Sequence, residues 1–273
     1  MNTKQTFWNN FTKKNILIAH RGARSHYAEN TMIAFEASLE KADAIELDVG
    51  FSKDGVAVII HDDTLERTSD AVKHKEFKAP YKVVDYTYEE LQKLDFSSWF
   101  MDADPFECIK KNKISKEYLS TLPTQRIPTL KEVLLFCKKH QMPVNVEIKD
   151  MRDTAFDSCA AKEVFSIIKQ LDMASLVLIS SFNHQYLKEF YKMAPYIATA
   201  ALQENEHPKD LIPYLKSIPT QLYHPRITIA NKELIETLNS AGFFVNVFTV
   251  NASKDKKRFF DYGATAVFTD FLE

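Results

Sequence analysis

Short apolar segments alternate with amphipathic helical stretches along nearly the whole chain, and few folds accept that rhythm. The strand-like segments are residues 16–19, 44–49, 144–148, 176–180, 197–202, 221–223, 244–249 and 266–269. Helical periodicity fills the intervals, at residues 31–41, 130–140, 155–171, 184–192, 209–215, 231–240 and 253–262. Strand and helix in alternation imply parallel βαβ units. About eight strands in roughly 250 residues is the size of a (β/α)₈ barrel. The predicted fold class is therefore α/β, a (β/α)₈ TIM-type barrel. A doubly wound open sheet is the runner-up, but no Gly-rich dinucleotide fingerprint supports it.

One region breaks the rhythm. After an extended piece at 56–60, residues 62–126 carry Pro80, Pro105 and Pro123, many charges and one short helical piece at 88–94. That is too long for an ordinary loop, so it reads as an insertion after the second strand region, within a single domain spanning 1–273. Little sequence follows the strand at 266–269, which leaves no eighth helix. The aromatic start, with Phe7, Trp8 and Phe11, is expected to cover that gap.

Composition excludes several function classes. The chain of 273 residues has a net charge of -2, so no basic excess is available for nucleic acid. The longest apolar runs, at 56–60 and 176–179, are too short for an integral membrane segment. The first fifteen residues lack the apolar stretch of an export signal. Three cysteines without metal-ligand spacing suit a reducing compartment, and a cytoplasmic location is expected. Cys137, in a helical run, reads as a buried and inert thiol.

Two strand segments carry charge where a core strand should not. Glu46 and Asp48 alternate with Ile45 and Leu47; Glu147 and Lys149 alternate with Val146 and Ile148. Side chains at i and i+2 of a strand share a face, so each charged pair projects together. Charges there are costly unless they pair or bind a metal. Glu46, Asp48 and Glu147 offer three hard oxygen ligands, which suit one divalent cation, Ca²⁺ or Mg²⁺. Arg21 and Lys149 would then neutralise an anionic substrate, an arginine fork matching phosphate oxygens. The competing structural reading is ion pairing between these carboxylates and barrel cations.

Two histidines close extended segments beside this cluster: His20 in His20-Arg21-Gly22, and His61 in His61-Asp62. Imidazoles titrate near neutrality and can act as acid and base across one bond. A lone histidine is more often structural; two at strand ends beside three carboxylates favour chemistry. Glu29-Asn30-Thr31 reads first as a helix cap, with contact between Glu29 and the site as the second reading. His224 is read as structural. Phe182 and Phe248 at strand ends could wall a substrate site, against a background of 20 phenylalanines. Gly-x-Ser-x-Gly and the phosphate-binding Gly-x-x-x-x-Gly-Lys-Ser/Thr loop are absent, and a site with a cation, two imidazoles and two positive side chains favours attack on a phosphate ester over covalent acyl transfer.

At these residues the chain resembles the glycerophosphodiester phosphodiesterase family. The likeness is carried by His20-Arg21-Gly22, Glu29-Asn30-Thr31, residues 43–49, Lys53-Asp54-Gly55, His61-Asp62, residues 65–68 and 127–134, Asn145 to Lys149, Ser181-Phe182 and Thr269-Asp270. The resemblance implies a (β/α)₈ barrel with an inserted segment. It implies His20 and His61 as acid–base residues, Glu46, Asp48 and Glu147 as metal ligands, and Arg21 and Lys149 on the phosphate. It further implies a small-molecule glycerophosphodiester substrate, split to glycerol 3-phosphate and an alcohol. The chain departs from the family pattern at Lys41, where glycine is usual, at Phe248, where tryptophan is usual, and in lacking a Gly-rich turn after Arg67-Thr68. Phe248 is thereby the residue expected to bear on substrate preference. A lysophospholipase D on the same site and a noncatalytic binding protein are the competing functions. Oligomeric state is left open, with a homodimer as one arrangement.

Overall fold

Strands rich in β-branched residues and buried on both faces must be covered on both sides, and here they close into a ring. The computed structural model describes residues 7–272. In chain order the elements are β1 (Ile16–Ala19), α1 (Met32–Glu36), β2 (Ala44–Phe51), β3 (Ala57–Ile59), α2 (Tyr88–Leu91), α3 (Ser98–Ala103), α4 (Lys116–Thr121), α5 (Leu130–His140), β4 (Val144–Ile148), α6 (Ala160–Gln170), β5 (Val177–Ser181), α7 (His184–Met193), β6 (Ala198–Gln203), α8 (Leu211–Ser217), β7 (Leu222–Pro225), α9 (Lys232–Ser240), β8 (Phe244–Val247), α10 (Ser253–Asp261) and β9 (Ala266–Thr269). Parallel pairing runs β1-β2-β4-β5-β6-β7-β8-β9 and back to β1, a closed eight-stranded barrel. The extended piece at 56–60 is not a barrel stave. It forms β3, which pairs antiparallel with the end of β2.

The barrel has two apolar zones. Outward residues such as Ile45, Leu47, Val146 and Ile148 pack against the helices in the main core. Inward residues at the amino ends of the strands, among them Leu178, Ala200 and Leu222, pack around Phe7. Trp8 and Phe11 join them, with Trp8 beside Phe244. The aromatic start therefore plugs the floor of the barrel instead of covering a missing helix. Small inward residues such as Ala44, Ala200 and Ala266 leave the room it fills.

Helix boundaries follow local chemistry. Thr129 and Glu132 form a reciprocal capping box that starts α5 where the sequence predicts. By contrast α1 stops at Glu36, short of the predicted 41. The Ala34 carbonyl is taken by the Ala23 N–H at 2.9 Å and the Ser38 hydroxyl at 2.8 Å, so the helical ladder ends there.

Residues 62–126 hold α2, α3 and α4, more helix than the sequence pattern suggests. They build a small core of their own around Leu65, Phe77, Leu91 and Phe96. A second cluster docks Phe100, Cys108 and Leu119 onto Ala28, with Phe271 packed alongside.

Candidate active site

Register brings the charged pairs together. β2 and β4 are neighbours, with Glu46 opposite Asn145 and Asp48 opposite Glu147. One oxygen from each of Glu46, Asp48 and Glu147 lies within 4.8 Å of the others, and all three residues are buried. A cavity of about 520 Å³ opens at this end of the barrel. It is lined by His20, Arg21, Glu46, His61, Glu147 and Lys149 on one side, and by Phe182, Glu204, Arg226 and Phe248 on the other. The strands deliver these groups from their carboxyl ends, where barrel chemistry gathers.

The electrostatics of the acidic cluster are unbalanced. Burial drives the Glu46 carboxyl well above its ordinary range, and the Asp48 and Glu147 charges add to that, with Arg21 opposing. For Asp48 burial acts in the same direction, but Arg21, Lys149 and His61 outweigh it and hold its carboxyl low. Asp48 Oδ2 accepts from the Asn30 amide at 2.8 Å, whereas Oδ1 is buried without a hydrogen bond. A buried carboxylate oxygen without a hydrogen bond, 3.5 Å from the Lys149 ammonium and beside two more carboxylates, completes a donor set suited to a hard divalent cation. The residues present therefore fit the metal that the sequence implied.

Arg21 and Lys149, which line the site beside the carboxylates, are also committed to it. The Arg21 N–H donates to Glu46 at 2.8 Å, and its guanidinium lies 2.9 Å from Glu29 and 3.2 Å from Asp48. Its φ of 57° is left-handed. Gly22 follows at φ 81°, where a Cβ would come within 2.7 Å of the Ala34 backbone. Lys149 Nζ lies 2.7 Å from Glu147 and 3.5 Å from Asp48. Pairing with carboxylates, the competing structural role, is thus real, and both side chains still border the cavity.

Each histidine is held by its own carboxylate. His20 Nδ1 is 2.7 Å from Asp270 Oδ1, and His61 Nδ1 is 2.6 Å from Asp62 Oδ1. A carboxylate accepts, so each Nδ1 carries the proton and Nε2 is the nitrogen left for chemistry. Burial pushes His20 down to about 4, with Arg21 reinforcing and Asp270 opposing. Asp270 is fixed in turn by Asn251, whose amide donates to Oδ2 at 2.8 Å.

Sequence reasoning missed several of these residues. Thr31 stands at the N-cap of α1 as read from the sequence, but its hydroxyl donates to the Ala28 carbonyl at 2.7 Å and makes no cap bond. Glu29 is a buried acceptor for Arg21, Arg24 and Arg67. Asp62 and Asp270 stood in plain view at strand ends, and the rule that placed His20 and His61 could have found them. Phe182 and Phe248 are both in the cavity wall, edge to face with centroids 5.9 Å apart. His224 lies fully buried below, its Nε2 2.9 Å from the Asn246 amide.

Comparison with known proteins agrees with this fold. The sequence model of the glycerophosphoryl diester phosphodiesterase family matches residues 20–273. A glycerophosphodiester phosphodiesterase of Bacillus altitudinis is 36% identical over 262 residues, 93% of this chain and 94% of that protein. The structure of an Oleispira antarctica phosphodiesterase in complex with the product sn-glycerol-3-phosphate aligns with a TM-score of 0.75 at 25% identity, over 95% of this chain and 94% of that one. A glycerophosphodiester phosphodiesterase from Agrobacterium tumefaciens shares the fold, with a TM-score of 0.70 at 22% identity, over 94% and 97% of the two chains.

Proposed function

Because the chain belongs to the glycerophosphoryl diester phosphodiesterase family, we propose that it is a metal-dependent hydrolase that splits small glycerophosphodiesters into glycerol 3-phosphate and an alcohol. The observation that carries this reading is the cluster of Glu46, Asp48 and Glu147, two of which line one cavity with His20 and His61. In this proposal those three carboxylates hold Ca²⁺ or Mg²⁺, which supplies Lewis-acid polarisation of phosphate oxygens when bound. Arg21 and Lys149 bind the phosphate. His20, neutral at neutral pH, accepts the proton of the attacking hydroxyl at Nε2. His61 donates a proton to the departing alcohol. Phe248 and Phe182 contact the organic part of the substrate. The chain is read as one barrel domain with 62–126 as its insertion.

The substrate is taken to be a water-soluble diester. The cavity of about 520 Å³ is the size of a small-molecule site. A neighbouring groove shares His61 and Lys149 with it and carries Lys53, Asp63, Lys82, Asp85 and Asp153. Phe51, Val83, Val84, Met151 and Phe156 line the same groove, so turnover of a lysolipid against a soluble diester decides between the two substrate classes. Among the described residues no helix is long and apolar enough to cross a membrane. Cys108, Cys137 and Cys159 form no disulfide with one another.

The test is release of the free alcohol, choline or ethanolamine, from glycerophosphocholine, glycerophosphoethanolamine and lysophosphatidylcholine, with Ca²⁺, with Mg²⁺ and in chelator. Turnover of the first two that needs a divalent ion is expected. Full activity in chelator would remove the metal from the reading, and faster turnover of the lysolipid would replace the substrate. No turnover of any substrate would favour a binding protein. A substrate whose leaving group needs no proton, such as a nitrophenyl ester, separates the histidine roles: His61→Ala should keep more activity on it than His20→Ala.

A further inference from the structure

Glu29 is buried, its side chain about 2% exposed, yet three guanidiniums converge on it. Arg21 Nη1 donates to Oε1 at 2.9 Å. Arg24 Nη2 reaches Oε2 at 2.8 Å. Arg67 grips both oxygens, Nη2 to Oε1 at 2.7 Å and Nη1 to Oε2 at 3.1 Å. Each arginine then leads to a different part of the site. Arg67 also holds Asp62, through Nε at 2.6 Å and Nη2 at 2.9 Å, and Asp62 holds His61. Arg24 Nη1 lies 3.6 Å from the Asp270 carboxylate and 3.3 Å from His20 Nδ1. Arg21 faces Asp48 in the acidic cluster.

We infer that Glu29 is a positioning residue for both histidines at once, aligning His61 through Arg67 and Asp62, and His20 through Arg24 and Asp270. The inference rests on the acid–base reading of the two rings. It also gives residues 62–126 a task. Trp99 stacks on the Arg67 guanidinium at 5.8 Å and Phe106 on that of Arg24 at 5.3 Å, so the insertion clamps the two arginines that radiate from Glu29. Burial alone would raise the Glu29 carboxyl, but Arg21, Arg67 and Arg24 outweigh it and keep it far below the ordinary range. The hub therefore stays charged at any working pH. A fixed anion shared by three planar forks sets their angles as well as their charge. A general acid or base displaced by a fraction of an ångström loses much of its effect.

The alternative is that Glu29 merely docks the insertion. The two roles separate in the imidazole Nδ1–H signals of ¹⁵N-histidine-labelled protein, assigned with His20→Ala and His61→Ala. Arg67→Ala is expected to shift the His61 signal, leave that of His20 in place and lower kcat about tenfold, a fraction of the full acid–base contribution. Arg24→Ala should shift the His20 signal alone, with a smaller loss of about threefold, because Asn251 also holds Asp270. Glu29→Gln should move both signals and lower kcat more than KM. Because Glu29→Gln removes a buried charge that three arginines share and can fail to fold, the two single-arm variants carry the decision. A lowered melting temperature with both ring signals and kcat unchanged would overturn the inference. Shifted signals with unchanged turnover would uphold the alignment and overturn the acid–base reading instead.

Discussion

Replacing Glu46 by glutamine tests the acidic cluster from two sides. Its carboxylate oxygen lies within 4.8 Å of oxygens from both Asp48 and Glu147. At an effective dielectric of about 20, two charges at that distance repel by about 3.5 kcal/mol. Arg21 opposes this through its backbone N–H and its guanidinium, and Lys149 neutralises part of the partner charge. A net strain of about 1–3 kcal/mol is left in the metal-free protein. A raised carboxyl binds its proton more tightly folded than unfolded. The Glu46 contribution to stability without metal is therefore full below the ordinary value of 4.5 and is lost as pH rises through the folded value. Glu46→Gln removes the titration, so in chelator it should melt above wild type, and further above it at pH 8 than at pH 5. With about 2–4 °C per kcal/mol for a chain near this size, the difference is several degrees. Adding cation should reverse the order. Wild type gains about 2.7 kcal/mol at a hundredfold excess over its dissociation constant, the variant gains little, and its turnover is lost. Calorimetry at two pH values, with chelator and with millimolar Ca²⁺ or Mg²⁺, measures all of this. A variant that melts below wild type in chelator, or a wild type indifferent to divalent ions, would refute the reasoning.

Other expectations follow from single positions. Ala in place of His20 or of His61 should remove about two to four powers of ten in kcat, read as release of the free alcohol; near wild-type rates would sink the assignment. Gly22→Ala puts a Cβ at 2.7 Å from the Ala34 backbone at a positive φ. It should cost about 2 kcal/mol or more in stability and displace Arg21, and an unchanged denaturation midpoint would contradict that. His224 is buried and neutral, pushed down from 6.5 to about 3 by burial. Its unfolded form takes up a proton below 6.5 while the folded form resists, so stability falls as pH drops through that window, by up to about 1.4 kcal/mol per pH unit. His224→Gln should flatten the slope between pH 6 and 4 in urea titrations. An identical slope would show that His224 is not the group responsible.

The barrel was legible because its signals are local. Strand and helix periods repeat within a few residues, and every barrel stave falls on a segment that the alternation picks out. Strand parity alone put Glu46 and Asp48 on one face and Ile45 and Leu47 on the other, where the main core receives them. What failed also failed for physical reasons. The extended piece at 56–60 has strand character, but its place as the antiparallel β3 depends on where β1 leaves the edge of β2 free. The length of α1 is set by Ala23, a residue outside the helix that takes its Ala34 carbonyl. The aromatic start could not be assigned to the barrel floor without knowing that inward alanines leave a space there.

Local period and side-chain parity thus determined the fold class, the inward charges and the two imidazoles, because neighbours in sequence are neighbours on a strand. Only closure of the ring decided the rest. Asp270 meets His20 across 250 positions, and Arg67 meets Glu29 across 38. No local pattern encodes such partners. A carboxylate reads as a cap, an ion pair or a hub depending on which guanidiniums the finished barrel and its insertion bring within three ångströms of it.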